Sequence, residues 1–308
     1  MVEGNAAVFG RSAPARITLP QRGVVLGVAW SGVEGAGNHI AAAKLELARE
    51  RPRIVQAWRP FQEAVGRKAV RERFPAWLAE ESRWAEGRLA VGLDFPFSLA
   101  ETHLRQLGFL RQAIRGPGAL GKALLEKYMP PGADHTAAAE AFHGELGKDR
   151  ARLTDCYRAA PHPPSHARLY RQTFFGLDVL SRLDEVSFIP WDPPRAGRPS
   201  LVEVRPEHVA RVLSGTCLYR DDPRDGVQRA SARAGLMREI RTASGLEFEM
   251  ELVAKVVEDG KGTFLDAVLA AVAAAAAWAE GFHGVPANVP RCEGWIHSIR
   301  EEPWRRDE

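Results

Sequence analysis

Three carboxylate side chains occupy positions that a folded chain can bring together. Asp94 follows a predicted strand in AVGLDFPFSL, Glu203 lies in a short predicted strand in SLVEVRPEHV, and Asp266 lies in the first turn of a predicted helix in GTFLDAVLAA. Hard divalent cations such as Mg²⁺ and Mn²⁺ prefer oxygen ligands, and two such ions can promote an in-line displacement on a phosphodiester. The pattern therefore favours a metal-dependent hydrolase of phosphodiester bonds with these acids as ligands.

Each acid also has an ordinary structural interpretation. Asp94 can cap the turn that precedes Phe-Pro, Glu203 can pair with Arg205 or face solvent, and Asp266 can complement a helix dipole. Small residues follow Asp266 at helical spacing, mostly the alanines of residues 270–277. Such a stripe lets a helix pack close to a sheet, which would carry Asp266 to the edge where Asp94 lies. Grouped carboxylates repel one another unless a cation neutralises them, so this cluster would imply a metal.

A basic segment with interleaved aromatic residues spans residues 150–171. Its five arginines face a single acid, Asp155; they are Arg150, Arg152, Arg158, Arg168 and Arg171. Guanidinium groups beside stackable rings suit a single-stranded nucleic acid, and Arg168 and Arg171 are the candidate substrate-binding residues. A solvated helix face over buried aromatic residues is the alternative. A second basic run, residues 220–241, is diluted by aspartates and is interpreted as a surface helix.

The composition narrows the class of protein. The 308 residues carry a net charge of only +3, which argues against a histone-like binder but permits a local basic patch. The three cysteines are widely spaced and form no CxxC pair, so they indicate neither a zinc site nor a disulfide framework, and we expect a reducing, cytoplasmic environment. The longest apolar run, residues 264–279, is too short to span a bilayer, so no membrane association is expected.

The order of predicted elements indicates a mixed α/β sheet flanked by helices. Strands are predicted at residues 22–30, 38–48, 53–59, 89–93, 186–190, 201–204 and 294–299. Helices are predicted at residues 69–84, 206–214, 229–243, 247–258 and 263–281, and the region from about 100 to 180 is irregular and helical. The first three strands form an antiparallel meander. We expect one domain over residues 22–299 with a helical insertion at about 100–180, and flexible tails at residues 1–21 and 300–308.

Several segments in order resemble one known family. GVAWSGVEGAG, GLDFPFSL, RLTDCYR, LYRQTFFG, VEVRPE, DAVLAAVAAA and EGWI are similar to the predicted RNase H-like nucleases grouped as domain of unknown function 429. The resemblance covers residues 22–299. It implies an RNase H-like core of three antiparallel strands, a helix, two further strands parallel to the first, and a final helix that carries an acid. The catalytic, metal-binding acids of the family carry over onto Asp94, Glu203 and Asp266, with Mg²⁺ or Mn²⁺ as cofactor and nucleic acid as substrate.

The chain departs from that family at Ala29. Where this chain has Ala29, the family usually has an aspartate that bridges both metals, and a methyl group cannot bind a cation. Glu207, four residues after Glu203, is an outer-shell candidate. Two interpretations therefore stay open: a metal-dependent nuclease impaired by Ala29, or a catalytically degenerate module that binds nucleic acid or protein. A sugar-kinase-like ATP binder would share the core, but the chain lacks convincing phosphate-binding motifs.

Overall fold

The computed structural model describes residues 16–47, 52–64, 66–224 and 226–299. The strands are β1 (Gly23–Ala29), β2 (Ala41–Leu47), β3 (Arg53–Trp58), β4 (Leu89–Leu93), β5 (Ser187–Ile189), β6 (Ser200–Val204), β7 (Glu247–Phe248) and β8 (Ile296–His297). The helices before β5 are α1 (Arg67–Trp84), α2 (Glu101–Leu107), α3 (Leu110–Arg115), α4 (Pro117–Tyr128), α5 (His135–Leu146), α6 (Leu153–Tyr157) and α7 (Tyr170–Leu180). Those after β6 are α8 (Pro206–Ser214), α9 (Ala230–Ser244), α10 (Met250–Glu258) and α11 (Thr263–Ala279).

One mixed sheet organises these elements, as the sequence predicts. Its strand order is β5-β6-β4-β1-β2-β3-β7, with β8 paired to β6. The strands β1, β2 and β3 pair antiparallel, whereas β4 runs parallel to β1 and β6 runs parallel to β4. Because parallel strands run in the same direction, the carboxyl ends of β1, β4 and β6 meet at one edge of the sheet.

The helix predicted from residue 247 begins later, at Met250. Residues 247–248 instead form β7, which pairs in parallel with Arg53 and Ile54 of β3. The N–H of Glu247 donates to the carbonyl of Pro52 at 3.1 Å, within the usual range for such a bond. A tertiary strand partner thus outweighs the local helical pattern at these two residues.

Helix α11 lies on one face of the sheet at very short range. A Cβ atom on Gly27 would lie 2.0 Å from the carbonyl oxygen of Ala267, and one on Gly92 would lie 2.5 Å from that of Ala270. Glycines on β1 and β4 and alanines on α11 therefore allow backbone to approach backbone, as the alanine spacing predicts. This contact holds the first turn of α11 beside the carboxyl ends of the central strands.

The opposite face of the sheet is covered by α1, α7 and a cluster of aromatic residues. The ring of Trp30 lies 5.5 Å from that of Phe74, 4.9 Å from Phe95 and 5.2 Å from Phe175, measured between centroids. The insertion between β4 and β5 is helical, as predicted, and has its own small apolar core that includes Leu104. Burial on both faces explains why β1 and β4 are almost wholly apolar.

The predicted tails fall largely outside the described residues. Residues 1–15 and 300–308 lie outside them. Residues 16–21 are described, and there Ile17 is buried in the core while its N–H donates to the carbonyl of Ala243 at 2.9 Å. The packed part of the chain therefore begins before residue 22. None of the helices in the described ranges is long and apolar enough to cross a membrane.

Candidate functional site

A cavity of about 270 Å³ opens where β1 and β4 end and α11 begins. Ala29 ends β1, Asp94 directly follows β4, and Asp266 lies in the first turn of α11; all three line this cavity. Val28 is paired with Leu93, so Ala29 and Asp94 are the next neighbours along the two strands, and the N–H of Asp94 donates to the Val28 carbonyl at 3.0 Å. Two of the three predicted acids thus meet at one place with Ala29.

Glu203 lies on the other face of the sheet and does not line this cavity. It is in register with Leu93, whose side chain packs in the cluster opposite α11, whereas Val202 and Val204 pack on the α11 side. Its carboxylate is buried and accepts hydrogen bonds from the N–H of Phe97 at 2.8 Å and from Arg152. The predicted three-acid set is therefore not assembled, because strand alternation directs Glu203 away from Asp94 and Asp266.

Arg152, which the sequence places in a nucleic-acid-binding segment, is instead fully buried. It binds Glu203 through Nη1–Oε2 at 2.8 Å and Nη2–Oε1 at 2.5 Å, and it binds Asp155 through Nη2–Oδ1 at 2.8 Å. Burial lowers the pKa of Arg152, but the charges of Asp155 and Glu203 outweigh burial and raise it above its ordinary value. The group is a permanent cation that pairs with two buried acids, and Glu203 pairs with it rather than with Arg205.

Arg220 occupies the acidic end of the cavity. Its Nη1 lies 2.7 Å from Oε1 of Glu207 and its Nη2 lies 2.8 Å from Oδ2 of Asp266. The other oxygen of Asp266 accepts a hydrogen bond of 2.5 Å from the hydroxyl of Tyr219. Burial tends to raise the pKa of Glu207, but Arg220 and Arg205 outweigh that effect and lower it. Glu207, the outer-shell candidate, therefore lines the same cavity as Asp266 and is ionised there.

The pKa of Asp94 is raised, whereas that of Glu207 is lowered. Burial, with the charge of Asp266 next in importance, raises the pKa of Asp94 to about 8, while Arg205 opposes the shift. Burial also raises the pKa of Asp266, against the opposing effects of Arg220 and Tyr219. At neutral pH, Asp94 is therefore mainly a neutral acid that can donate a hydrogen bond.

These residues do not fit a pair of divalent cations. Both oxygens of Asp266 are already engaged, Glu203 is remote and paired, and Ala29 supplies no ligand. Across the residues that the structure describes, no group of three His, Cys, Asp or Glu side chains is arranged to hold a metal ion. Arg220 supplies one positive charge between Glu207 and Asp266.

A second cavity of about 360 Å³ adjoins the first and shares Trp30, Ser31 and Gln172 with it. It is lined by Arg67, Arg168 and Arg171, so the two predicted substrate-binding arginines lie beside the acidic site. Gln172 links the two cavities, since its Nε2 donates to the carbonyl of Asp94 at 2.5 Å. The combined groove also contains Arg205, Arg220 and Lys261 from the first cavity.

The sequence patterns do not predict that Tyr219 and Arg220 belong to the site. The second basic run is interpreted from the sequence as a surface helix, but residues 219–224 precede α9 and form an irregular segment from which Arg220 lines the cavity. Only the Tyr-Arg pair next to two aspartates marks this segment, and that pattern is not specific. Lys261 and Arg205 carry no sequence signal of belonging to the cavity either, because they approach it from different elements.

Comparisons of this chain with protein-family models, with curated proteins and with solved structures found no match.

Proposed function

We propose that this protein is a nucleic-acid-binding module built on an RNase H-like core, in which arginine and lysine side chains rather than metal ions hold the phosphates. The resemblance of the seven sequence segments suggests this core, and the strand order β3-β2-β1-β4-β6 with an antiparallel β1–β2 pair and parallel β1–β4 and β4–β6 pairs supports it. The resemblance implies a final helix that carries an acid, and the acid-bearing helix α11 lies against the central strands.

The observation that carries the proposal is the charge distribution of the paired cavities. Arg67, which is buried, and the exposed Arg168 and Arg171 line one cavity; Glu34 is the acid in its lining, and Glu140 pairs with Arg171 at 2.9 Å. In the other cavity Arg220 offsets one of the two negative charges of Glu207 and Asp266, Asp94 is mainly protonated, and Arg205 and Lys261 bring two further positive charges. A continuous positive groove suits a phosphate backbone, and its solvent-facing arginines can follow a single strand.

Arg168 and Arg171 provide the direct test. We expect a labelled single-stranded DNA or RNA oligonucleotide to bind in the presence of EDTA, with an affinity that falls as salt rises. Replacing both arginines by alanine should weaken binding and reduce the slope of log K against log salt by about 0.7 for each phosphate that the variant no longer neutralises. The measurement is fluorescence anisotropy over a salt series.

A matched control removes the same charge elsewhere. Arg111 and Arg115 are exposed on α3 and line neither cavity. Their double alanine variant should bind like the wild type. If the wild type binds no single strand, or if both double variants lose affinity equally, the groove is not the binding surface.

Cleavage assays separate this proposal from the metal-dependent nuclease. DNA, RNA and hybrid substrates incubated with Mg²⁺ or Mn²⁺ should stay intact. EDTA-sensitive cleavage that disappears in Asp94→Asn would instead support the nuclease interpretation.

A further inference from the structure

We propose that Arg220 is a built-in cation that takes the position of a divalent ion between Glu207 and Asp266 and thereby excludes metals from this cavity. The inference concerns the acidic end of the cavity alone and does not depend on whether the protein binds nucleic acid.

The contacts of Arg220 are those that a bound cation would make. Its guanidinium joins α8 to α11 through Glu207 at 2.7 Å and Asp266 at 2.8 Å. Since Tyr219 binds the remaining oxygen of Asp266, each oxygen of this carboxylate already has a partner, and a metal ion would have to compete with Arg220 or Tyr219 for it. Mg²⁺ and Mn²⁺ need several free oxygen ligands, and the guanidinium removes two of those available here.

Buried contacts hold the backbone on both sides of Arg220. The Nη1 of Arg233 donates to the carbonyl of Tyr219 at 2.9 Å and to Oδ1 of Asp221 at 2.8 Å. The N–H of Asp221 donates to the carbonyl of Gly260 at 2.8 Å. Arg233 is itself buried, so the segment that carries Arg220 is fastened to α9 and to the loop before α11.

Close packing also leaves little room for the Arg220 stem to move. Gly262 has a φ of +70°, and a Cβ atom there would lie 3.1 Å from Cγ of Arg220 and 3.1 Å from Cδ2 of Tyr219. The guanidinium also lies over the Tyr219 ring, 5.1 Å from its centroid. The surroundings therefore position the guanidinium, while 40% of the Arg220 side chain is exposed to solvent.

Removal of the guanidinium should open the site to a divalent ion. In Arg220→Gln, Asp266 and Glu207 lose the cation that bridges them, so Mn²⁺ should bind at least about tenfold more tightly than to the wild type. The readout is the electron paramagnetic resonance signal of free Mn²⁺, which falls as the ion binds. Adding Asp266→Asn to Arg220→Gln should return the affinity to the wild-type level.

Arg205→Gln is the matched control. Arg205 lines the same cavity, but its Nε lies 3.9 Å from Glu207 and its Nη2 donates to the carbonyl of His162 at 3.3 Å. It does not bridge the acids, so its loss should change Mn²⁺ affinity much less than the loss of Arg220. An equal gain in both variants would show that only net charge matters and would overturn the proposal.

Two further measurements keep the test decisive if Arg220→Gln does not fold. Wild-type protein should bind Mn²⁺ only weakly, and tight binding by the wild type would overturn the proposal at once. Arg220→Lys keeps one positive charge, but a single ammonium cannot span both carboxylates as the planar guanidinium does. It should bind Mn²⁺ more tightly than the wild type and less tightly than Arg220→Gln; no gain over the wild type counts against the proposal.

Discussion

Arg152 binds the carboxylate of Glu203 through two parallel contacts, with Nη1–Oε2 at 2.8 Å and Nη2–Oε1 at 2.5 Å. Both side chains are buried, and the planar guanidinium matches the carboxylate in a bidentate arrangement. Because Arg152 precedes α6 and Glu203 lies in β6, this ion pair ties the helical insertion to the sheet. The ion pair therefore holds together two parts of the chain that are far apart in sequence.

The first prediction concerns this ion pair. Arg152→Met should lower the free energy of unfolding by about 3–5 kcal/mol, because it leaves Glu203 and Asp155 buried without their cation. Urea denaturation measures the loss. Arg150→Met, an exposed neighbour, should change stability by less than about 0.5 kcal/mol. Combining Arg152→Met with Glu203→Gln should cost less than the sum of the single changes; strict additivity would contradict the coupling.

The second prediction concerns the dependence of stability on pH through Asp94. Folded Asp94 keeps its proton up to a pKa of about 8, whereas an unfolded aspartate releases it near pH ~4. Between these values the folded state binds more protons, so the contribution of Asp94 to stability is complete below the lower pKa and is lost as pH rises to the higher one. Asparagine does not titrate, so Asp94→Asn should not lose stability in this way as pH rises.

The stability of Asp94→Asn relative to the wild type should therefore increase as pH rises from about 4 to about 8, with a slope of up to about 1.4 kcal/mol per pH unit. Urea unfolding of both proteins across this range gives the difference, in which other titrating groups largely cancel. Asp184→Asn, at an exposed aspartate, should show no such trend. A difference that stays constant with pH would show that Asp94 is ionised in the folded protein.

The third prediction tests the close contact between α11 and the sheet. Gly27→Ala places a Cβ atom 2.0 Å from the Ala267 oxygen and 2.2 Å from the Ala271 nitrogen, so backbone must move. We expect a loss of about 1–3 kcal/mol or more from overpacking. Gly144→Ala within α5 meets no atom within 4 Å and should stabilise by about 0.5–1 kcal/mol, because alanine favours a helix. Thermal unfolding that moves both variants in the same direction would argue against this packing.

The fourth prediction tests the hydroxyl that holds Asp266. Tyr219→Phe removes a buried hydrogen bond to a carboxylate and should cost about 1.5–3 kcal/mol. Tyr157→Phe removes an exposed hydroxyl that contacts Asn288, and its effect should stay within about 0.5 kcal/mol. If both variants lose the same free energy of unfolding in chemical denaturation, the hydrogen bond from Tyr219 to Asp266 contributes no more to stability than an exposed one.

Much of the scaffold follows from local patterns. The strand at residues 89–93 and the helix at residues 206–214 have the same bounds in the sequence prediction and in the structure, because apolar runs and Pro-Glu starts are short-range signals. The alanine spacing after Asp266 predicts close contact with the sheet, which the structure shows at Gly27 and Gly92. Alternation within β6 also places Leu201 and Glu203 on one face, as predicted.

The composition of the site depends on contacts that no local pattern contains. The alternation of side chains along β6 predicts that Glu203 and Leu201 share a face of the sheet. It does not predict which face α11 covers, and because α11 covers the opposite face, Glu203 is separated from Asp94 and Asp266. The partner of Glu203 is Arg152, 51 residues away, and the partner of Asp266 is Arg220, 46 residues away.

From the sequence alone, Arg152 and Arg220 are expected on the surface, because no sequence pattern around an arginine identifies the acid with which it pairs. Short-range order thus defines most of the strands and helices and places Ala29 within β1. Arg220 reaches Asp266 only through the path of the chain between these elements. An ion pair between distant segments requires that packing brings the two opposite charges into one cavity.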